Sequence, residues 1–121
     1  SSGGILETKK IGDYAEEKGV PMAMHFAGSP ICFMANIHCA AATENFVALE
    51  HHSLDIPWWE DLVTGIDKPI FNKGFVKVPD KPGLGVELNE EVVKAHLKSG
   101  EMFFAPTDDW TKIDSWDRDW S

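Results

Sequence analysis

The chain has 121 residues, 43% of them hydrophobic and 26% charged, with a net charge of −9, values that suit one compact unit of ordinary composition. The acidic balance argues against nucleic acid, whose partners carry basic patches, but leaves room for a local cationic pocket that takes an acid. No run approaches the roughly 18 apolar residues of a membrane span, because the apolar-rich stretch 20–42 is interrupted by His25, Gly28, Ser29, Pro30, Asn36 and His38.

The opening Ser1-Ser2-Gly3-Gly4 is neither basic nor followed by a leader's apolar core, and no initiator Met stands there. The missing Met hints at a chain that starts inside a larger protein, with a tag remnant or processing as the alternatives. Residues 4–18 are predicted as a helix, with Ile5, Thr8, Ile11, Gly12 and Ala15 on one face and Gly19 as its stop. Residues 20–24 form a continuously apolar strand, the kind buried on both faces of a parallel sheet. It ends at His25, and a loop follows over 26–30. A second helix is predicted over 31–43 from Ile31, Met34, Ala35, His38, Cys39 and Ala42. Within it Cys32 and Cys39 lie about 10 Å apart at a helical rise, beyond disulfide reach, so reduced thiols and a cytoplasmic home are expected. A second apolar strand, 46–49, ends at Glu50.

Residues 51–72 are irregular and rich in Trp, Asp and Pro. A strand is expected over 74–78, then a turn-rich run over 79–85. Asn89 is expected to cap a last helix, 90–97, with Val92, Val93 and Leu97 facing inward. The acidic tail 99–121 carries Trp110, Trp116 and Trp120 and reads as a segment that docks on a neighbouring surface. Met22, Met24 and Met34 read as core fillers. The alternation of helix and strand with short connections indicates parallel α/β architecture. Two parallel strands leave edges and faces uncovered, so the sheet reads as incomplete, needing strands from elsewhere.

Chemistry concentrates where the strands end. The C-terminal end of a parallel strand is where α/β barrels hold catalytic groups, and His25 and Glu50 occupy that place on successive strands. Adjacent strands lie about 4.8 Å apart, so both side chains can converge on one small ligand. An imidazole takes or gives a proton near neutrality, and a neighbouring carboxyl can hydrogen-bond a developing oxyanion or shift the imidazole's pKa. A capping or core role for His25 and a solvated strand end for Glu50 are the plain alternatives. His51 and His52 are candidate substrate contacts, set against a solvated loop pair. Trp58 can pack over a sugar ring, set against a core or interface role for Trp58 and Trp59 together. The adjacent pairs His38-Cys39 and His51-His52 send their side chains apart, and no C-x-x-C or H-x-x-x-H spacing occurs. The spacing therefore speaks against zinc without excluding it.

Several runs together resemble the last third of a barrel enzyme of the mandelate racemase and muconate lactonizing type. They are Ser2-Gly3-Gly4-Ile5 before a helix, Gly19-Val20-Pro21-Met22-Ala23-Met24-His25, Ala40-Ala41-Ala42, and Phe46 through Glu50. The likeness continues through Gly74-Phe75-Val76-Lys77-Val78-Pro79 and Lys81-Pro82-Gly83-Leu84-Gly85-Val86-Glu87-Leu88, and weakens after Leu97. The Pro-Gly-Leu-Gly-Val-Glu run is a strong marker of that group. The 25-residue step from His25 to Glu50 and the Trp-bearing tail look most like galactonate dehydratase and related acid-sugar dehydratases.

The resemblance implies an α/β chain that is the C-terminal portion of a TIM-type (β/α) barrel, incomplete by itself. Residues 1–72 would run from the sixth helix to the eighth strand and its loop, 73–98 would return toward a capping domain, and 99–121 would be a tail. It implies removal of a proton alpha to a carboxylate, an enediolate held on Mg²⁺, and loss of hydroxide from the neighbouring carbon. His25 would be the seventh-strand acid or base, and Glu50 the eighth-strand glutamate that hydrogen-bonds the substrate carboxylate. The family's metal ligands sit on the third, fourth and fifth strands, its catalytic lysines or their equivalents on the second, and an aspartate orienting the histidine on the sixth. None of those positions falls in this chain, so no metal ligand is expected in it and the chain alone is expected to be inactive. The implied partners are a small sugar acid, the remainder of the barrel, the capping domain and further copies in a homo-oligomer, with no nucleic acid and no membrane. Racemase or cycloisomerase activity shares the first step and is not separated; a non-catalytic fragment or interaction module is the other class of reading.

Overall fold

In the computed structural model residues 3–103 are described; the tail with Trp110, Trp116 and Trp120 falls outside them. Helix α1 (Ile5–Glu17) matches the predicted helix to a residue at each end. Thr8 anchors its first turn by donating Oγ1–H to the Gly4 carbonyl at 2.8 Å. Thr8 and Gly12 are its buried residues, while Ile5, Leu6, Ile11 and Tyr14 are exposed. Gly12 sits where α1 meets the end of the second helix. A Cβ there would come within 2.9 Å of Thr43 Cγ2, so the missing side chain sets how closely the helices approach.

Strand β1 (Met22–Met24) pairs in parallel with β2 (Phe46–Leu49), as the alternation predicts. β1 starts later than expected, because the Val20 carbonyl accepts from the Asn45 side chain at 2.7 Å instead of joining the ladder. The expectation of strands buried on both faces does not hold within this chain: Ala23 and Ala48 are exposed, and Phe46 and Val47 are 36% and 64% exposed. Among the described residues this sheet has two strands, too few to cover their own faces.

Helix α2 (Pro30–Ala41) starts with Ser29 Oγ accepting from the Cys32 N–H at 3.4 Å and Pro30 in the first turn, an arrangement that satisfies a free N–H and pre-sets φ. One side of α2 gives Phe33, Met34 and Ile37 to a core with Phe26, Trp59, Val63 and Ile70. The other gives Cys39 and Ala40 to a smaller cluster with Met24. Cys32 is exposed, Cys39 is buried, and both are free thiols.

Beyond β2, a 3₁₀ turn (Glu60–Leu62) leads into β3 (Val63–Thr64), which pairs antiparallel with β4 (Glu87–Leu88) ahead of helix α3 (Glu90–Ala95). The strand expected over 74–78 does not form. Lys73 and Gly74 both take positive φ, 51° and 83°, the pattern of a tight hairpin turn. Asn72 and Phe75 exchange backbone hydrogen bonds of 2.8 and 2.9 Å across it. The Asn89 side chain makes no cap bond; its backbone N–H instead donates to the Leu62 carbonyl at 2.8 Å, and α3 stops two residues short of the predicted end. Gly85 adopts φ 75°, and a Cβ on it would lie 2.3 Å from Pro79 Cβ. That close approach lets the Pro-Gly-Leu-Gly run fold back, so that His38 Nε2 donates to the Leu84 carbonyl at 3.2 Å. No helix among the described residues is long and apolar enough to cross a membrane.

Candidate active site

The site stands at the C-terminal ends of β1 and β2. Their register pairs Met24 with Leu49, and the Glu50 N–H continues the ladder to the Met24 carbonyl at 2.9 Å. His25 and Glu50 are thereby neighbours across the strand ends. His25 Nδ1 donates to Glu50 Oε2, the Phe26 backbone N–H donates to the same oxygen at 3.3 Å, and His52 Nε2 donates to Glu50 Oε1 at 2.5 Å. The two imidazole centroids lie 5.9 Å apart. The hydrogen bond from His52, then that from His25, holds the Glu50 carboxyl below its ordinary pKa against a smaller opposing effect of desolvation, with Phe26 N–H helping. Glu50 is thus an anion gripped at both oxygens. With Nδ1–H turned to that anion, His25 leaves Nε2 free to exchange a proton. His25 also borders a cavity of about 590 Å³ between α1, β1 and α2, lined by Met24, Phe26, Cys32 and Asn36.

Three of the five candidates come together: His25, Glu50 and His52. His51 turns the opposite way, its ring 4.3 Å from that of Phe71, 4.7 Å from Trp59 and 5.2 Å from Phe33. Burial, with the nearby His52, pushes the His51 imidazole below its ordinary pKa despite Glu60, so it stays neutral. Its Nδ1 accepts from the Ser53 N–H at 3.4 Å, and its buried Nε2 has no hydrogen-bond partner. Trp58 stacks on His96, centroids 4.0 Å apart, with no hydrogen bond or ring contact to the three. Neighbours on extended chain face opposite ways, and that is the signal that separates His51 from His52. The Phe26 backbone donor leaves no side-chain signal at all. The loop behind the site is pinned by Trp59 Nε1–H, which donates to the Gly28 carbonyl at 2.8 Å.

His25, Glu50 and His52 each offer one ligand atom, all within 4.8 Å of one another. The set is two imidazole nitrogens and one carboxylate. Mg²⁺ demands near-octahedral oxygen coordination, and this donor set does not fit it.

Residues 1–92 match the family described as enolase C-terminal domain-like. Over 102 residues the chain is 46% identical to the D-xylonate dehydratase of Haloferax volcanii, covering 84% of this chain and 24% of that protein. It is 39% identical over 92 residues to a D-galactonate dehydratase family member of Pantoea ananatis, covering 74% of this chain and 21% of that one. Among solved structures it is similar to a mandelate racemase/muconate lactonizing enzyme-like protein from Rubrobacter xylanophilus. The TM-score is 0.79 and the identity 40%, over 85% of this chain and 26% of that one. The chain therefore spans about a quarter of the length of the curated relatives it matches.

Proposed function

The chain belongs to the mandelate racemase and muconate lactonizing enzyme family, as C-terminal barrel sequence of the enolase type, and from that premise we propose that it is the C-terminal catalytic segment of an acid-sugar dehydratase. One observation carries the reading: His25 and Glu50 meet at the C-terminal ends of paired parallel strands. In this reading His25 Nε2 takes the proton alpha to the substrate carboxylate, or delivers one to the departing hydroxyl. The ionised Glu50 fixes the ring and stabilises the imidazolium as it forms. The C–H electron pair becomes the new C=C bond, the neighbouring C–O bond breaks, and water leaves. The resulting enol then becomes a 2-keto-3-deoxy acid. The expectation that Glu50 hydrogen-bonds the substrate carboxylate asks one of its oxygens to exchange an imidazole for substrate, while the other keeps its partner. Mg²⁺ belongs to the reading only through the family resemblance. It would be held by oxygen ligands outside this chain, and no step above passes through it. The same reading makes the complete enzyme a cytoplasmic homo-oligomer with a capping domain.

A chimera tests it, with this chain replacing the matching quarter of the Haloferax volcanii D-xylonate dehydratase. Incubated with Mg²⁺ and a panel of aldonic acids, it is expected to release a 2-keto-3-deoxy acid. His25→Asn is expected to lower kcat by about 10²–10⁴-fold, the usual worth of a general acid or base. Deuterium uptake at the alpha carbon without loss of water would favour the racemase reading. Undiminished turnover by a folded His25→Asn chimera would sink His25 as the catalytic group.

A further inference from the structure

The three side chains that suit proton transfer also make a donor set of a second kind. His25 and His52 come from segments far apart in sequence, and the Glu50 carboxylate lies between their rings. Their ligand atoms already fall within 4.8 Å of one another. A tetrahedral ion with bonds of about 2.0–2.1 Å spaces its ligand atoms by about 3.3 Å, so capture takes only side-chain adjustment. The backbone positions are set beforehand. The Glu50 N–H is bonded to the Met24 carbonyl at 2.9 Å, and the Phe26 N–H fixes one Glu50 oxygen at 3.3 Å. His51, seated among Phe33, Trp59 and Phe71, fixes where His52 leaves the chain. The His25, Glu50 and His52 side chains are 75%, 42% and 55% exposed, so an ion can enter from solvent and keep open positions for water.

We propose that His25 Nδ1, the Glu50 carboxylate and His52 Nε2 bind one borderline transition-metal cation of the Zn²⁺ class. Imidazole ligands select Zn²⁺, Cu²⁺, Ni²⁺ and Fe²⁺, whereas Mg²⁺ and Ca²⁺ want oxygen. Two nitrogens with one carboxylate and open positions form the arrangement that Zn²⁺ accepts when water completes its shell. Nothing in this site depends on the dehydratase reading. If that reading holds, the two uses exclude each other: an ion on Nδ1 moves the ring proton to Nε2, removing the lone pair that takes the substrate proton. A bound ion is then an inhibitor.

The test is calorimetric titration of the 121-residue chain with Zn²⁺ at neutral pH in excess Mg²⁺, repeated with Co²⁺ and followed by visible absorption. One ion per chain is expected, with the visible absorption of a low-coordinate nitrogen-ligated Co²⁺. Loss of a group that only hydrogen-bonds a ligand already costs a metal site about 10–100-fold, so His25→Ala and His52→Ala are each expected to weaken binding at least tenfold. Both residues are exposed, and circular dichroism confirms that the variants keep their fold. His96→Ala is expected to leave affinity unchanged. Absence of saturable binding, wild-type affinity in folded His25→Ala or His52→Ala, or displacement of Zn²⁺ by Mg²⁺ would overturn the proposal. Because the readout is binding, it stands or falls separately from turnover.

Discussion

The loop after β2 and β2 itself use apolar residues in opposite ways. The loop has no regular structure until Glu60, yet Trp59 and Phe71 close with Phe26, Phe33 and His51 into one aromatic cluster around buried Val63 and Ile70. β2 is regular and wholly apolar, yet three of its four residues are exposed. Apolar composition therefore does not locate the stability of this chain. The irregular segment shares the core with Phe26 and one side of α2, and the regular strand presents an open surface. The contrast also divides the labour: the cluster holds shape, and the strand ends carry the ionisable groups.

The contrast breaks most sharply at Trp59 against Val47. Trp59→Ala empties a buried site in the loop and is expected to cost about 3–5 kcal/mol, measured by urea unfolding followed through circular dichroism. Val47→Ala on the exposed strand is expected to change stability by less than about 0.5 kcal/mol. Equal losses would dissolve the distinction. Gly85→Ala comes next, at about 1–3 kcal/mol, since its φ of 75° and its contact with Pro79 both reject a Cβ; a neutral result would remove that turn from what holds the loop. The smallest effect is a pH dependence. Because burial lowers the folded pKa of His51, the unfolded chain takes up the proton first as pH falls. The stability tied to neutral His51 is thus present above its unfolded pKa of about 6.5 and lost as pH drops through the folded value. His51→Phe is expected to lose stability less steeply than the parent as pH falls below about 6.5; identical slopes would place His51 outside the core's energetics.

Both long helices, both parallel strands and the placing of His25 and Glu50 at strand ends were legible, because each rests on periodicity or on a run of several residues. The β3–β4 pair was not, since two residues per strand carry no period. The strand expected over 74–78 takes in Gly74 and Phe75 of the Asn72-Lys73-Gly74-Phe75 turn, although a Gly after a turn-prone Asn is a reversal signal; the apolar residues that follow outweigh it. The opposite fates of His51 and His52 depend on Trp59 and Phe71, 8 and 20 residues further on, whose rings take one histidine and leave the other. Trp58 carried the same ambiguity, resolved by His96 just past the end of α3.

The back-to-back placement of His51 and His52 has a consequence for how this sequence can change over generations. A single-codon insertion or deletion between Glu50 and Ser53 shifts this alternation by one position, so that no histidine pair can serve both the aromatic cluster and Glu50 in the same phase. Substitutions around the site leave that phasing intact, whereas a change of length does not. The seat that Phe33, Trp59 and Phe71 make for His51 thus ties the spacing of the polar site to the packing of the core.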